Sequence, residues 1–159
     1  MNVEIICIGK LKEKYWRDAV AEYAKRLGRF CSFSVTELKE ARLPANASPA
    51  EEEAVKEAEG RAVIEAIREH SYVIALDVQG KQYDSVSFAG LLEEHMNYGT
   101  ARIVFVIGGS LGLSWDVLQR ADLRLSFSKM TFPHQLMRVI LSEQIYRCFK
   151  IIRHETYHK

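Results

Sequence analysis

Three stretches of this chain combine residue types that can do chemistry. The segment Phe127-Ser128-Lys129-Met130-Thr131-Phe132-Pro133-His134 sets polar backbone beside Met130 and Phe132. That mixture suits an adenine ring, which asks for flat apolar contact and hydrogen bonds at its edges. Pro133 restricts Phe132 to extended backbone and prepares a helix opened by His134, a residue for which capping or packing is a simpler role than catalysis. Upstream, Gly108-Gly109-Ser110-Leu111-Gly112-Leu113 is glycine-rich. No two of its glycines are separated by one residue, as GxGxxG requires, and no Gly-Lys-Ser/Thr marks a phosphate loop. Three glycines do supply backbone that can approach a ligand closely. The alternatives are a bare turn and a ligand loop, and a second unusual loop nearby favours the ligand loop.

The third stretch is the close of the chain, His154-Glu155-Thr156-Tyr157-His158-Lys159. Termini ordinarily fray, yet Tyr157 and His158 offer base stacking and proton transfer, and Lys159 offers phosphate contact. Glu143 and Arg147 stand four apart, the spacing of a helix-surface pair, which on spacing alone is structural. The five histidines are scattered and GxSxG is absent, which argues against hydrolysis by a metal or a triad. Cys7, Cys31 and Cys148 form no CxxC and are odd in number, so they read as buried reduced thiols.

The elements that must position these groups alternate. Val3–Ile8 reads as a strand closed by Gly9, and Glu13 to Phe30 carries apolar residues at helical spacing. Cys31–Leu38 alternates as a second strand. Ser48-Pro49-Ala50-Glu51 is a capping box that opens a helix to about His70, which also explains the Glu51–Glu53 run at its start. Tyr72–Val78 is a third strand, apolar enough for burial on both faces, with Gln79-Gly80 turning the chain after it. A helix spans about Ser85 to Asn97 and stops at Gly99. Arg102–Ile107 is a fourth strand, Ser114 caps a short helix to about Arg120, Leu123–Phe127 is a fifth strand, and His134–Ile152 is a long last helix. Strand and helix in alternation predict an α/β fold with a mainly parallel sheet flanked by helices. Ligands in such sheets sit beyond the carboxyl ends of strands, here Asp77-Val78, Gly108-Gly109 and Ser128–Phe132. Three loops therefore converge on one expected pocket, with the tail folding over it.

The 159 residues predict one domain, and 48% hydrophobic with 27% charged residues is the composition of a folded globular protein. No apolar run is long enough to span a bilayer and the N-terminus does not resemble a signal peptide, so the expected location is cytoplasmic. Net charge is only +1, yet its distribution is uneven. Lys10 to Arg29 holds seven basic and three acidic residues, and the stretch from Arg138 adds Arg147, Lys150, Arg153 and Lys159. If these ends meet, they form an anion-attracting surface. The apolar arc of the last helix, from Leu136 to Ile152, is wider than one core-facing stripe needs and predicts a homodimer.

Asp77-Val-Gln-Gly-Lys81, Phe105-Val-Ile-Gly-Gly-Ser-Leu-Gly112, Lys129-Met-Thr-Phe-Pro-His-Gln-Leu-Met-Arg138, Glu143-Gln-Ile-Tyr-Arg147 and the closing Tyr157-His158-Lys159 together resemble the SPOUT class. Within it they are similar to the bacterial methyltransferases that modify N3 of a pseudouridine in 23S rRNA. The resemblance covers essentially the whole chain. It implies a trefoil knot within roughly residues 100–150 of one SPOUT domain, and S-adenosylmethionine as cofactor in that knot. The donor contacts it implies fall on Leu76, Gly108, Phe127, Ser128, Lys129, Met130, Thr131 and Phe132. It implies further that Glu143, Arg147, Tyr157, His158 and Lys159 hold or activate the base, with no metal. The implied partners are a second copy of the chain and 23S rRNA in the assembled ribosome. Lys159 stands where Arg is common in the family, so a bidentate contact there is in question. An imidazole ordinarily titrates near neutrality, which makes His158 the favoured acceptor for the N3 proton, ahead of a solvent path organised by Tyr157 and Glu143. Lys12, Lys14 and Arg17 are expected to meet the RNA backbone. A knotted methyltransferase acting on tRNA and a non-enzymatic dimer binding ribosomes or nucleotides are the competing readings.

Overall fold

A computed structural model describes residues 1–159. Its strands are β1 (Asn2–Ile8), β2 (Ser32–Leu38), β3 (Tyr72–Gln82), β4 (Arg102–Ile107) and β5 (Leu123–Ser126). They form one sheet of order β2-β1-β4-β3-β5 in which every neighbouring pair is parallel. The helices are α1 (Lys14–Leu27), α2 (Pro49–Ala66), α3 (Ser85–Asn97), α4 (Trp115–Arg120) and α5 (His134–Ile152). The central strands are apolar on both faces because both faces are covered. Ile5, Cys7, Ile103 and Phe105 point to a core shared with α3 and α5, while Ile6, Ile8, Val104 and Val106 point to a smaller one closed by Val63 of α2 and Val117 of α4.

Local signals account for most boundaries. Ser48 accepts from the Glu51 amide and Glu51 reaches back to the Ser48 amide, satisfying two otherwise orphaned donors. Asp84 and Ser114 cap α3 and α4 one way only, accepting from the Ser87 and Val117 amides. α2 ends at Ala66, four residues before the expected His70: Ile67 is extended and His70 lies at φ +57, a tight turn that delivers the chain into β3. Gln79-Gly80 does not turn the chain. β3 continues to Gln82 through an irregularity between Leu76 and Lys81, re-pairing with Leu125 of β5. Glycine is required there, because a Cβ on Gly80 would lie 2.5 Å from the Arg124 carbonyl oxygen. Only the first half of β3 is buried on both faces, and Val78 is exposed.

α5 follows the edge strand β5 yet returns to the middle of the molecule, over β4 and between α1 and α3. None of its nineteen residues is fully exposed. The sheet and two helices cover much of its apolar arc, while Met137, Val139, Ile140, Tyr146, Ile151 and Ile152 are left half-buried. Arg138, 1% exposed, donates to Glu37 (2.9 Å) and to the Ile8 carbonyl (2.7 Å), tying α5 to the carboxyl ends of β1 and β2. Cys7 and Cys148 are buried and Cys31 half-buried. Burial pushes their thiols up to about 11, 12 and 11 respectively, so none offers a thiolate near neutral pH.

Candidate functional site

β4, β3 and β5 are neighbours in the sheet, so their carboxyl ends open side by side. The cleft between them has a volume of about 160 Å³ and is lined by Leu76–Val78, Ile107–Gly109, Gly112 and Leu113. Leu125, Phe127, Ser128, Met130, Thr131 and Phe132 complete that side, and His134 and Met137 close it from the first turns of α5. The loop after β4 folds tightly on itself: a Cβ on Gly108 would fall 2.7 Å from the Gly112 carbonyl carbon, and Gly112 has φ +82. Any side chain at Gly108 would therefore displace the loop.

Main-chain polarity distinguishes this cleft. Between Phe127 and Phe132 no amide donates to another main-chain group, and only the Met130 amide has a side-chain acceptor, the Ser128 hydroxyl at 3.0 Å. Such groups need partners once a ligand covers them. Met130 is 74% exposed and Phe132 36%, leaving apolar surface at the mouth. The two ionisable linings are subdued. Asp77 accepts from Arg124 and from the Gln79 amide. His134 is held below the usual histidine range by burial and by the charge of Arg138. It opens α5 without capping it. Glu59 of α2 lies buried behind the glycine loop, its carboxyl raised by desolvation while it accepts from the Ala41 amide.

Of the eight residues expected to hold the donor, seven line this cleft. Lys129 does not: it borders a separate, more polar recess with Val78, Gln79, Gly80 and Gln82. Asp77, Gly109, Gly112, His134 and Met137 join the lining without having been singled out as contacts.

The tail makes a second cluster. Arg147 Nη2 donates to Glu143 Oε1 (2.6 Å), Tyr157 OH donates to the same oxygen (3.1 Å), and Arg147 Nη1 donates to His158 Nδ1 (3.3 Å). Glu143 Oε2 accepts from Gln144 Nε2 at 2.7 Å. The Tyr157 ring packs edge-on to Tyr146 (4.9 Å between centroids), with the Arg147 guanidinium 4.8 Å from its own centroid. Burial, and then the bond to Glu143, push the Tyr157 phenol up to about 12, so it acts as a donor. Lys159 is exposed and bonds to none of these groups.

The tail is thus ordered, but it lies along α5 and does not fold over the first cleft, whose lining contains none of its residues. The Tyr146 contact and the Glu143 bond hold it there. His158 instead borders an adjoining cleft that shares Leu125 and Phe127 with the first. The two basic ends of the chain do meet, since α1 packs on α5. Arg26 lies over Tyr23 and Tyr146, Arg153 over Phe30, and Arg29 and Arg153 both contribute to holding the Glu155 carboxyl low beside Lys150. Arg17 is less free than expected, because it donates to the Leu11 and Lys12 carbonyls, and Lys14 pairs with Asp18. No three His, Cys, Asp or Glu side chains converge, and no helix is long and apolar enough to cross a membrane.

Comparison with known proteins bears on this geometry. The family described as "Predicted SPOUT methyltransferase" matches residues 1–158. A protein of Clostridium beijerinckii named ribosomal RNA large subunit methyltransferase H is 54% identical over 159 residues, the full length of both chains. One of the same name from Ligilactobacillus salivarius is 53% identical, again over the whole of both. Among solved structures, a probable methylase family protein from Haemophilus influenzae superposes with a TM-score of 0.55 at 14% identity, covering 99% of this chain and 70% of that one. At that identity the likeness speaks for the fold alone.

Proposed function

This chain belongs to the SPOUT methyltransferase family, and on that footing we propose that it methylates N3 of a pseudouridine in 23S rRNA, using S-adenosylmethionine bound in the cleft at the ends of β3, β4 and β5. The observation that carries the reading is the Phe127–Phe132 run, whose amides other than that of Met130 have no protein acceptor, in the same cleft as Gly108, Gly109 and Gly112. An adenosine moiety needs hydrogen bonds at its ring edges and apolar contact on its faces, and the Leu76, Gly108 and Phe127–Phe132 walls offer both. When bound, the donor supplies a methyl group on a sulfonium, already electrophilic, so the protein's contribution is orientation. His134, kept neutral by burial and Arg138, spares that cation a like charge.

The proton on N3 must leave. His158 is the acceptor in this reading. Its Nδ1 now accepts from Arg147, so the ring takes a proton there only when an RNA phosphate draws Arg147 Nη1 away. Glu143 keeps Arg147 and Tyr157 aligned meanwhile. Lys159, with the Arg26, Arg29 and Arg153 surface, serves the RNA backbone, and Lys12, just ahead of α1, is freer than Lys14 or Arg17. The whole chain acts as one knotted domain, in a homodimer, on assembled ribosomes in the cytoplasm.

The experiment is to incubate the protein with methyl-labelled S-adenosylmethionine and either ribosomes or free tRNA. Label on 23S rRNA is expected. Label on tRNA, or tight ribosome binding without transfer, would replace this reading with one of its competitors. Single-turnover transfer at the wild-type rate by His158→Ala would remove His158 from the proton path.

A further inference from the structure

The cleft beside the donor site has no role in the account above. It has a volume of about 450 Å³ and shares the Leu125 and Phe127 walls with its neighbour. Its remaining surface comes from the start of α3, from Ile140 and Gln144 of α5, and from His158. Phe127, Leu125 and Ile140 give a flat ring apolar faces to lie against. One polar group within it is held in a fixed attitude. Gln144 Nε2 donates to Glu143 Oε2 (2.7 Å), and the Ser85 hydroxyl donates to Gln144 Oε1 (2.9 Å). A carboxylate can only accept, so these partners determine which end of the carboxamide is nitrogen. Each end keeps one capacity unused, a second N–H on nitrogen and a second lone pair on oxygen, in the plane of the carboxamide.

We propose that this second cleft seats the acceptor base, and that Gln144 distinguishes pseudouridine from uridine by pairing with its N1–H and C2 carbonyl. The inference rests on the methyl-transfer reading and names how that reaction would choose its substrate. In uridine N1 carries the ribose, so the only edges with a donor beside an acceptor include N3–H. A carboxamide pairing there would cover the atom that has to react. A base joined to ribose through C5 has a further edge, N1–H beside C2=O. Gln144 Oε1 accepts from N1–H while Nε2 donates to O2, which leaves N3 free to face the side of the cleft that adjoins the donor site, where displacement needs it about 3–3.5 Å from the methyl group. Ser85 and Glu143 are the positioning residues, since they act through Gln144. His158, on the same cleft and bonded to Arg147, is within the network that holds the base.

Two measurements test this. In the first, pseudouridine 5′-monophosphate is titrated into the 15N-labelled full-length protein while the Gln144 side-chain amide signals, identified by their loss in Gln144→Leu, are followed. They should shift, and uridine 5′-monophosphate should move them less. Equal responses, or shifts only outside this cleft, overturn the inference. In the second, single-turnover transfer is compared on ribosomes carrying pseudouridine or uridine at the target. A bidentate pair of this kind discriminates by about 10- to 100-fold. Gln144→Leu should bring that ratio to near one by slowing pseudouridine, with donor affinity unchanged. Ser85→Ala should move it the same way by less, and carries the test if Gln144→Leu does not fold. An unchanged ratio in both variants overturns the inference. If wild-type protein transfers no methyl to ribosomes, the preceding reading fails, while the titration still decides this one.

Discussion

In the cleft at the ends of β3, β4 and β5 most main-chain amides of the Phe127–Phe132 run have no protein partner, whereas at the tail the polar groups belong to side chains that have already found one another. Groups of the first kind can take up hydrogen bonds from a ligand without first giving up bonds of their own. The second is self-satisfied, and a substrate must open it before His158 or Arg147 can serve. Damage to the first should therefore appear in donor affinity, and damage to the second in the transfer step. α5 connects them, its first turns lining the cleft and its later turns holding the tail.

The change that erases the contrast is Arg138→Ala. It strips a buried partner from Glu37 and from the Ile8 carbonyl, at a cost of about 3–5 kcal/mol. Thermal or urea unfolding should show that loss, with donor binding and transfer failing together. Gly108→Ala separates the regions. Its Cβ meets the Gly112 backbone, and an ångström of displacement there should weaken donor affinity about 100-fold in calorimetry, with the tail network intact. Glu143→Gln is the converse. It weakens the acceptor shared by Arg147, Tyr157 and Gln144, and single-turnover transfer should fall about 10- to 100-fold while donor affinity holds. If donor affinity falls equally, the two regions are not independent.

The smallest effect is one of pH. The folded protein holds the His134 proton less tightly than the unfolded chain does, through burial and Arg138, with Glu40 opposing. The stability this contributes is present above the ordinary histidine pKa and is lost as pH falls through the depressed folded value. Protonation also puts a cation beside a cationic ligand. Donor affinity should then drop by about three- to tenfold across that acidic window, and His134→Gln should flatten the titration.

Much of this layout can be read along the chain, because it depends on near neighbours. The Ser48 cap, the spans of β4, α3 and α5, and the three strand ends that meet all follow from local periodicity and turn chemistry. Departures arise where distant segments decide. Gly80 looks like a turn residue until Arg124, forty-four positions on, is seen to crowd it within β3. The Arg138–Glu37 pair joins residues 101 apart and Ser85–Gln144 joins residues 59 apart, separations at which no spacing rule applies. The tail's course was equally hidden, since its hold on Tyr146 depends on how α5 is set against the sheet. Lys129 sits within the right segment and misses the cleft, because segment and side-chain direction are separate questions.

Met137 and Gln144 stand on the same rod, α5. At 1.5 Å per residue they are about 10 Å apart along its axis, so this helix gauges the spacing of the two clefts. One residue inserted between them would lengthen the gauge only slightly but would swing everything downstream by about 100°, carrying Gln144 off its cleft. Substitutions in this stretch can be graded in severity, whereas a single insertion or deletion should disconnect the two halves of the machinery outright.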